Sequence, residues 1–176
     1  MLIRPAVEND IPGLARVHVD TWRAAYRGIV PDSILAELSY ERREERWQRN
    51  FQAHTDQHVL HVALDSGVVA GFAGGGPERA STPGYDAEVY ALYVRPQNQR
   101  QGIGQQLVRS VCIELAGLGF GSILIWVLRD NHAGRSFYEK IGGVCVAEQP
   151  IVIGGYELNE VAYGWPDINA LIREKG

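Results

Sequence analysis

A mixed α/β domain, α+β in the arrangement of its edges, is predicted by three features of the sequence. Two strands apolar on both faces, Ala87 to Val94 and Ser122 to Leu128, flank a helical stripe of Ile103, Leu107, Val111 and Leu115, which makes a β-α-β unit. Hairpins stand on either side: His58 to Leu64 with Val68 to Ala73 around Asp65-Ser66-Gly67, and Val144 to Ile153 with Tyr156 to Tyr163 around Gly154-Gly155. The length of 176 residues corresponds to one domain, 1–176. A chain of that size buries roughly 70% of its unfolded surface, so a full core needs neither disulfides nor metal.

The remaining elements follow in chain order. Leu2 to Ala6 reads as a short first strand, and Asp10 is placed to cap a helix that tolerates Pro12 in its first turn. Leu14, Val17, His18, Thr21, Trp22 and Ala25 recur at helical steps on one face of it, and Gly28 supplies a stop. Pro31 and Asp32 open a second helical stretch. A third is predicted from Tyr40, Arg43, Trp47 and Phe51, and its run of Glu and Arg between Glu41 and Arg49 reads as a solvated face. Gly74 to Asp86, rich in Gly and Pro, reads as a loop. Asn131 caps a short helix through Phe137, Tyr138 and Ile141, which Gly142 ends.

Seventeen Lys and Arg against twenty-one Asp and Glu leave a net charge of −4, which provides no basic field for a nucleic-acid backbone. The longest apolar runs fall far short of a membrane span, and Met1 to Ile3 is followed at once by Arg4 and Pro5, so no secretory leader is read and a cytoplasmic location is expected. Cys112 and Cys145 stand alone, with no C-x-x-C pair, and read as small apolar fillers in a reducing compartment.

Chemistry concentrates after the strand Ala87 to Val94. Gln99-Arg100-Gln101-Gly102-Ile103-Gly104 is a polar, glycine-rich turn opening the helix at Ile103. The first N–H groups of a helix lack carbonyl partners and the helix dipole adds positive potential, so such a turn stabilises a pyrophosphate, and glycine lets it approach the backbone. An ordinary helix-starting turn has the same local form. No Gly-Lys-Ser/Thr follows, and Leu107 stands where a dinucleotide fingerprint needs its third glycine. Glu88 is a carboxylate in an otherwise apolar strand: burial favours a general base, while a strand-end position suits a binder of a cationic substrate or a solvated side chain. Tyr90 shares its side-chain parity, so the two face one pocket.

Taken in order, E-V-Y-A-L-Y-V, Q-R-Q-G-I-G-Q-Q-L-V and N-H-A-G-R-S-F-Y-E-K-I-G-G, from Ala87 to Gly143, resemble the GNAT superfamily of acyl-coenzyme A-dependent N-acetyltransferases. Trp22-Arg23-Ala24-Ala25-Tyr26-Arg27-Gly28-Ile29-Val30-Pro31 is similar to a common bacterial branch with varied acceptors. The resemblance implies a strongly twisted mixed sheet in which strands Glu88 to Val94 and Ser122 to Leu128 splay to leave a slot for pantetheine. The backbone of Leu92, Tyr93 and Val94 would pair with that arm, and the Leu92 N–H would stabilise the oxyanion of the tetrahedral intermediate. Gln99, Arg100, Gln101, Gly102, Ile103, Gly104 and Gln105 would hold the pyrophosphate, and Asn131 would bond the pantetheine. Tyr138, in F-Y-x-x-x-G, would be the general acid for the departing thiolate, and Glu88 the base, with a water as relay.

The implied activity is transfer of acetyl from acetyl-coenzyme A to a primary amine, with no covalent enzyme intermediate. Trp22 and Tyr26, four apart, serve either as core or as an aromatic pocket wall that holds an ammonium group. A cap formed by Trp22 to Pro31 would favour small amines, whereas an open slot beside Glu88 would favour a protein or peptide acceptor. An acyl-coenzyme A sensor without activity is the reading from another class, and retention of Glu88 and Tyr138 opposes it. His54, His58 and His61 invite a metal site, but His58 and His61 at a strand start point to opposite faces, so no metal is expected. The C-terminal hairpin offers an edge to a second subunit, a homodimer being a family-level expectation.

Overall fold

The computed structural model describes residues 1–53 and 55–173. Its strands are β1 (Leu2–Pro5), β2 (Val59–Asp65), β3 (Val68–Pro77), β4 (Ala87–Val94), β5 (Ile123–Leu128), β6 (Val144–Ile153) and β7 (Tyr156–Trp165). They form one seven-stranded sheet in the order β1-β2-β3-β4-β5-β7-β6, antiparallel throughout except at β4 and β5. A parallel neighbour requires a crossover, and α4 (Ile103–Gly117) supplies it, laying Ile103, Leu107, Val111 and Leu115 on the sheet as the predicted stripe. The other face carries α1 (Ile11–Ala25) and α3 (Tyr40–Gln52), whose Leu14, Val17, Trp47 and Phe51 pack with Val62 and Phe72. The short α2 (Asp32–Ala36) brings Leu35 onto Leu128, where Val30 of the preceding turn joins it, while α5 (His132–Lys140) adds Phe137 and Tyr138 to the α4 core. The chain closes with α6 (Asn169–Ile172) beside α4. No helix is long and apolar enough to cross a membrane among the described residues.

Two expectations from sequence are corrected. β3 runs through Gly74, Gly75 and Gly76 to Pro77, where the sequence reads as the start of a loop. A Cβ at Gly75 would lie 2.6 Å from the Glu88 carbonyl oxygen, and one at Gly71 would lie 2.8 Å from that of Tyr93. Glycine is used there for close approach to β4, not for a turn. Asp10 makes no side-chain cap on α1; its carboxylate is held by the Arg4 guanidinium at 2.7 and 2.9 Å and accepts from the Val7 N–H at 2.9 Å.

The strands β4 and β5 are paired only at Ala87 with Ile123 and Glu88 with Leu124, and then part. Two features set the fork. A β-bulge at Tyr90, opposite Gly74 and Gly75, increases the local twist of β4. At the closed end, Asp86 accepts hydrogen bonds from the N–H groups of Gly121 and Ser122 and from the Ser122 hydroxyl, all at 2.9 Å. Burial opposes ionisation of Asp86, but those donors outweigh it and hold the carboxyl below its usual range. Its folded value thus lies below its unfolded one, so the stabilisation is present above the unfolded value and is lost as pH falls through the folded value. Asp86→Ala is expected to lower stability at pH 7 by about 0.5 to 1 kcal/mol, solvent exposure of the carboxylate reducing what its hydrogen bonds contribute. The gap to the parent protein is expected to close below about pH 4, a trend that urea unfolding at stepped pH will read.

Candidate active site

Where β5 departs, one edge of β4 is left without a strand. Arg95 N–H bonds the Ala70 carbonyl at 2.8 Å, which fixes the antiparallel alternation with β3. Tyr93 shares that orientation, so the backbone groups of Leu92 and Val94 point to the opposite edge, the one that faces the fork. The Leu92 side chain packs in the α4 core, leaving its N–H as the group it presents there. The Val94 carbonyl is taken by the Gln99 amide at 3.0 Å and the Thr21 hydroxyl at 3.5 Å, which ties the following turn and α1 to the fork.

That turn leads into α4. Arg100 at φ 59° and Gly102 at φ 80° reverse the chain, and Gly102 is the residue before the first helical turn. Gln99, Arg100, Gln101, Gly102 and Gln105 are exposed, and Gly104 sits close to the Phe137 ring. The amides of Ile103, Gly104 and Gln105 have no carbonyl within the helix to receive them, so the turn presents an anion-ready surface below the fork. Across the fork, Asn131 caps α5 by accepting from Gly134 N–H at 3.0 Å. Tyr138, on the same helix, is 7% exposed and rests between the rings of Phe137 and Tyr163. Burial pushes its phenol well above the usual value, with the Tyr93 hydroxyl adding to the effect, and so keeps it protonated.

Above the fork lies a cavity of about 670 Å³. Trp22 and Tyr26 form one wall, edge to face with centroids 4.7 Å apart, and the Trp22 indole donates to the Tyr93 hydroxyl at 3.0 Å. Burial also raises the Tyr26 phenol well above its normal value, with contributions from the neighbouring hydroxyls of Tyr93 and Tyr138. Tyr93 therefore reaches the site through its ring, its backbone being turned to β3. Glu88, 2% exposed, has both carboxylate oxygens engaged: Arg79 donates to them at 2.5 and 3.0 Å, and the Arg79 backbone N–H adds a bond at 3.3 Å. The guanidinium stacks 4.1 Å above the Tyr90 ring, and the Tyr90 hydroxyl donates to the Pro77 carbonyl. Glu160 faces the same cavity and accepts from Gln149 at 2.8 Å; burial first, and Glu88 second to it among the raising causes, lift its carboxyl above the usual range.

Several of these groups were not singled out in the sequence. Arg79 lies in a loop with no pattern to mark it. Arg43 and Arg46 line the cavity although their run reads as a solvated face, and the useful signal is that Arg43 precedes Trp47 by one helical turn and so shares its inward side. His18 was assigned to the apolar stripe of α1, where it sits, but it also borders the cavity, stacked on Trp22 and tilted against Tyr93 at 4.9 Å. Of the histidines weighed as metal ligands, His61 turns to Glu114 of α4 at 3.4 Å and His58 lies beside Thr55 and Tyr90, while His54 falls outside the described residues.

His18 is 8% exposed, and neither ring nitrogen has a hydrogen-bond partner. Burial first, then the charges of Arg43 and Arg46, lower its pKa to about 3. An unfolded histidine titrates near 6.5, so across that window the unfolded chain binds a proton that the folded chain does not, and stability falls as pH falls. The His18 ring is expected to stay neutral in NMR titrations from pH 7 to about 4. His18→Phe is expected to lose less stability than the parent over that range, as followed by thermal unfolding.

The Acetyltransferase (GNAT) family model matches residues 19–143. The chain is 38% identical over 169 residues to YuaI, an uncharacterized N-acetyltransferase of Bacillus subtilis (strain 168), with 96% of this chain and 95% of YuaI covered. It is 26% identical over 103 residues to the L-amino acid N-acyltransferase MnaT of Escherichia coli (strain K12), covering 58% of this chain and 60% of MnaT. The crystal structure of PaiA N-acetyltransferase from Thermoplasma acidophilum in complex with coenzyme A superposes with a TM-score of 0.68 at 21% identity, over 90% of this chain and 96% of that one. Seven strands parted between β4 and β5, a glycine turn beneath the fork and a family match across most of the chain agree: this protein belongs to the GNAT family of acetyltransferases.

Proposed function

We propose that the protein moves acetyl from acetyl-coenzyme A directly to a primary amine of a small molecule. The observation that carries this reading is the edge of β4 at Leu92 and Val94 that no strand covers, only the Val94 carbonyl being taken by side chains, between an anion-ready helix start and an aromatic cavity. Gln99 to Gln105 hold the pyrophosphate. The pantetheine arm, whose amides carry donors and acceptors, takes the place of the missing strand beside Leu92 and Val94, and Asn131 bonds it from the other side. The Leu92 N–H is then positioned for the thioester oxygen, where a fixed donor is worth more in the transition state than in the ground state.

The amine attacks the thioester carbon, a C–N bond forms, and collapse of the tetrahedral intermediate breaks C–S. The amine loses its proton to water in the cavity, and Tyr138 donates one to the thiolate. Glu88 is here a positioning group: both of its oxygens serve Arg79, which orders the loop over the cavity. A small acceptor is favoured by the packing of Val30 and Leu35 on Leu128, Ile151 and Leu158, which lays the segment after Trp22 over the β5-β7-β6 half of the sheet. MnaT, an acyltransferase of L-amino acids by name, offers a precedent of that class among the relatives.

Release of free thiol from acetyl-coenzyme A in the presence of a panel of amines tests the reading, and silence with every amine would end it. Two variants separate binding from chemistry. Gly102→Glu, which forces a side chain into a left-handed position and puts negative charge at the helix start, is expected to abolish coenzyme A binding in calorimetry. Tyr138→Phe is expected to bind coenzyme A as the parent does while kcat falls about 10²-fold. A further kinetic test concerns Glu88. With Glu88→Gln, KM for the amine is expected to rise and the acid limb of the kcat profile to persist between pH 6 and 9; its disappearance would return Glu88 to the role of base.

A further inference from the structure

The geometry points to an anion subsite at Arg43 and Arg46, so that the acceptor is an amine that also carries a carboxylate, as an amino acid does. This rests on the acetyltransferase reading and narrows its substrate class. Three arginines and two glutamates line the cavity. Arg79 is neutralised by Glu88, and Glu160 is hydrogen-bonded to Gln149. Among the described residues no carboxylate pairs with Arg43 or Arg46, although they stand one helical turn apart on the same side of α3. Two guanidinium groups near enough for one charge to be felt by the other, with no carboxylate paired to either, are a repulsive arrangement that an incoming anion relieves. Arg43 registers it, its guanidinium being held below its usual pKa by burial and then by Arg46.

The surrounding groups agree on the sign. His18, buried beside both arginines with two unpartnered nitrogens, contributes no compensating negative charge and stays neutral. The Trp126 indole N–H, on the cavity wall, is also buried without an acceptor. The unused groups of this cavity are therefore mostly donors, and a ligand rich in acceptor oxygens satisfies them. Position agrees as well: Arg43 acts on the Tyr93 hydroxyl, Tyr93 neighbours Tyr26, and Tyr26 in turn feels Tyr138. The anion site and the place of the departing sulfur thus flank one group of tyrosines, a span suited to a small acceptor. Arginine is the fitting residue, since its planar fork binds a carboxylate through two parallel hydrogen bonds.

The experiment compares matched acceptors on the whole protein saturated with coenzyme A. Calorimetry measures the affinity of the common L-α-amino acids and of β-alanine and 4-aminobutyrate, each against its carboxamide. The parent protein is expected to bind at least one carboxylate about 10- to 100-fold more tightly than its amide. In Arg43→Met and Arg46→Met the ratio is expected to fall towards one, with coenzyme A affinity retained, and Arg43→Lys is expected to restore part of it. Should a variant fail to fold, competition by acetate and by methylphosphonate against the bound amino acid in the parent protein reads the same subsite. Carboxylate and amide bound equally by the parent, or an undiminished ratio in both variants, would overturn the subsite. Because the titration needs no turnover, carboxylate selectivity in a protein that transfers no acetyl would uphold the subsite and instead reject the enzymatic reading.

Discussion

The parting of β4 from β5 after two paired residues is the constraint from which the site follows. A strand in the middle of a sheet normally has both rows of backbone groups paired, and a buried unpaired amide costs about as much as a lost hydrogen bond. β4 remains paired to β3 as far as Val94, so the unpaired row belongs wholly to the other edge. The protein answers part of the deficit itself, placing Gln99 and Thr21 on the Val94 carbonyl. What it leaves open is an edge of strand length, which an amide-bearing arm fills more readily than a compact ligand does. The bulge at Tyr90 and the Asp86 clamp keep this opening from closing by register slip: one twists β4 away and the other pins the end where the strands still meet.

Electrostatics divides the space above the fork in two. On one side Glu88 is deeply buried yet compensated by Arg79, whose own side chain is mostly exposed. On the other side α3 brings Arg43 and Arg46 together without compensation. A buried carboxylate stripped of its partner is strongly destabilising, whereas a solvent-touching pair of arginines loses only a few tenths of a kcal/mol from repulsion. The fold can leave the cationic corner open for a ligand at small cost, but it cannot leave the anionic one so. That asymmetry accounts for Glu88 having its own counter-ion within the chain.

Legibility from sequence followed the same physics. β4 and β5 were readable because burial on both faces forces continuous apolar runs, α4 because its one buried stripe recurs at helical steps, and the turn before α4 because it is polar and glycine-rich at a helix start. Gly74 to Gly76 misled because a glycine in a bend and a glycine under a neighbouring carbonyl have the same letter; only the partner strand tells them apart. Asp10 misled for a related reason, since Arg4, a strand residue, competes for the carboxylate that would otherwise cap α1. The cavity was the least legible part. Trp22, Tyr26, Glu88 and Tyr90 do line it, but Arg43 and Arg46 sit in a run whose charges look alike whether they meet water or a pocket.

The two halves of the cavity also suggest an order for the chemistry. In the proposed reading, an acceptor held by its anionic end at α3 would bring its amine towards the tyrosines and the fork, orienting the lone pair before it meets the thioester. Fixing that approach removes rotational freedom from the reacting pair, an effect that alone can account for several kcal/mol of barrier. The same placement keeps the cationic side chains away from the amine and closer to the carboxylate, so the amine is not forced to share its surroundings with two guanidinium groups. Tyr138, kept protonated by burial, would in that proposal be the donor to the departing thiolate. In the proposed reaction the strand-free edge of β4 would hold the thioester carbon between the attacking amine and Tyr138.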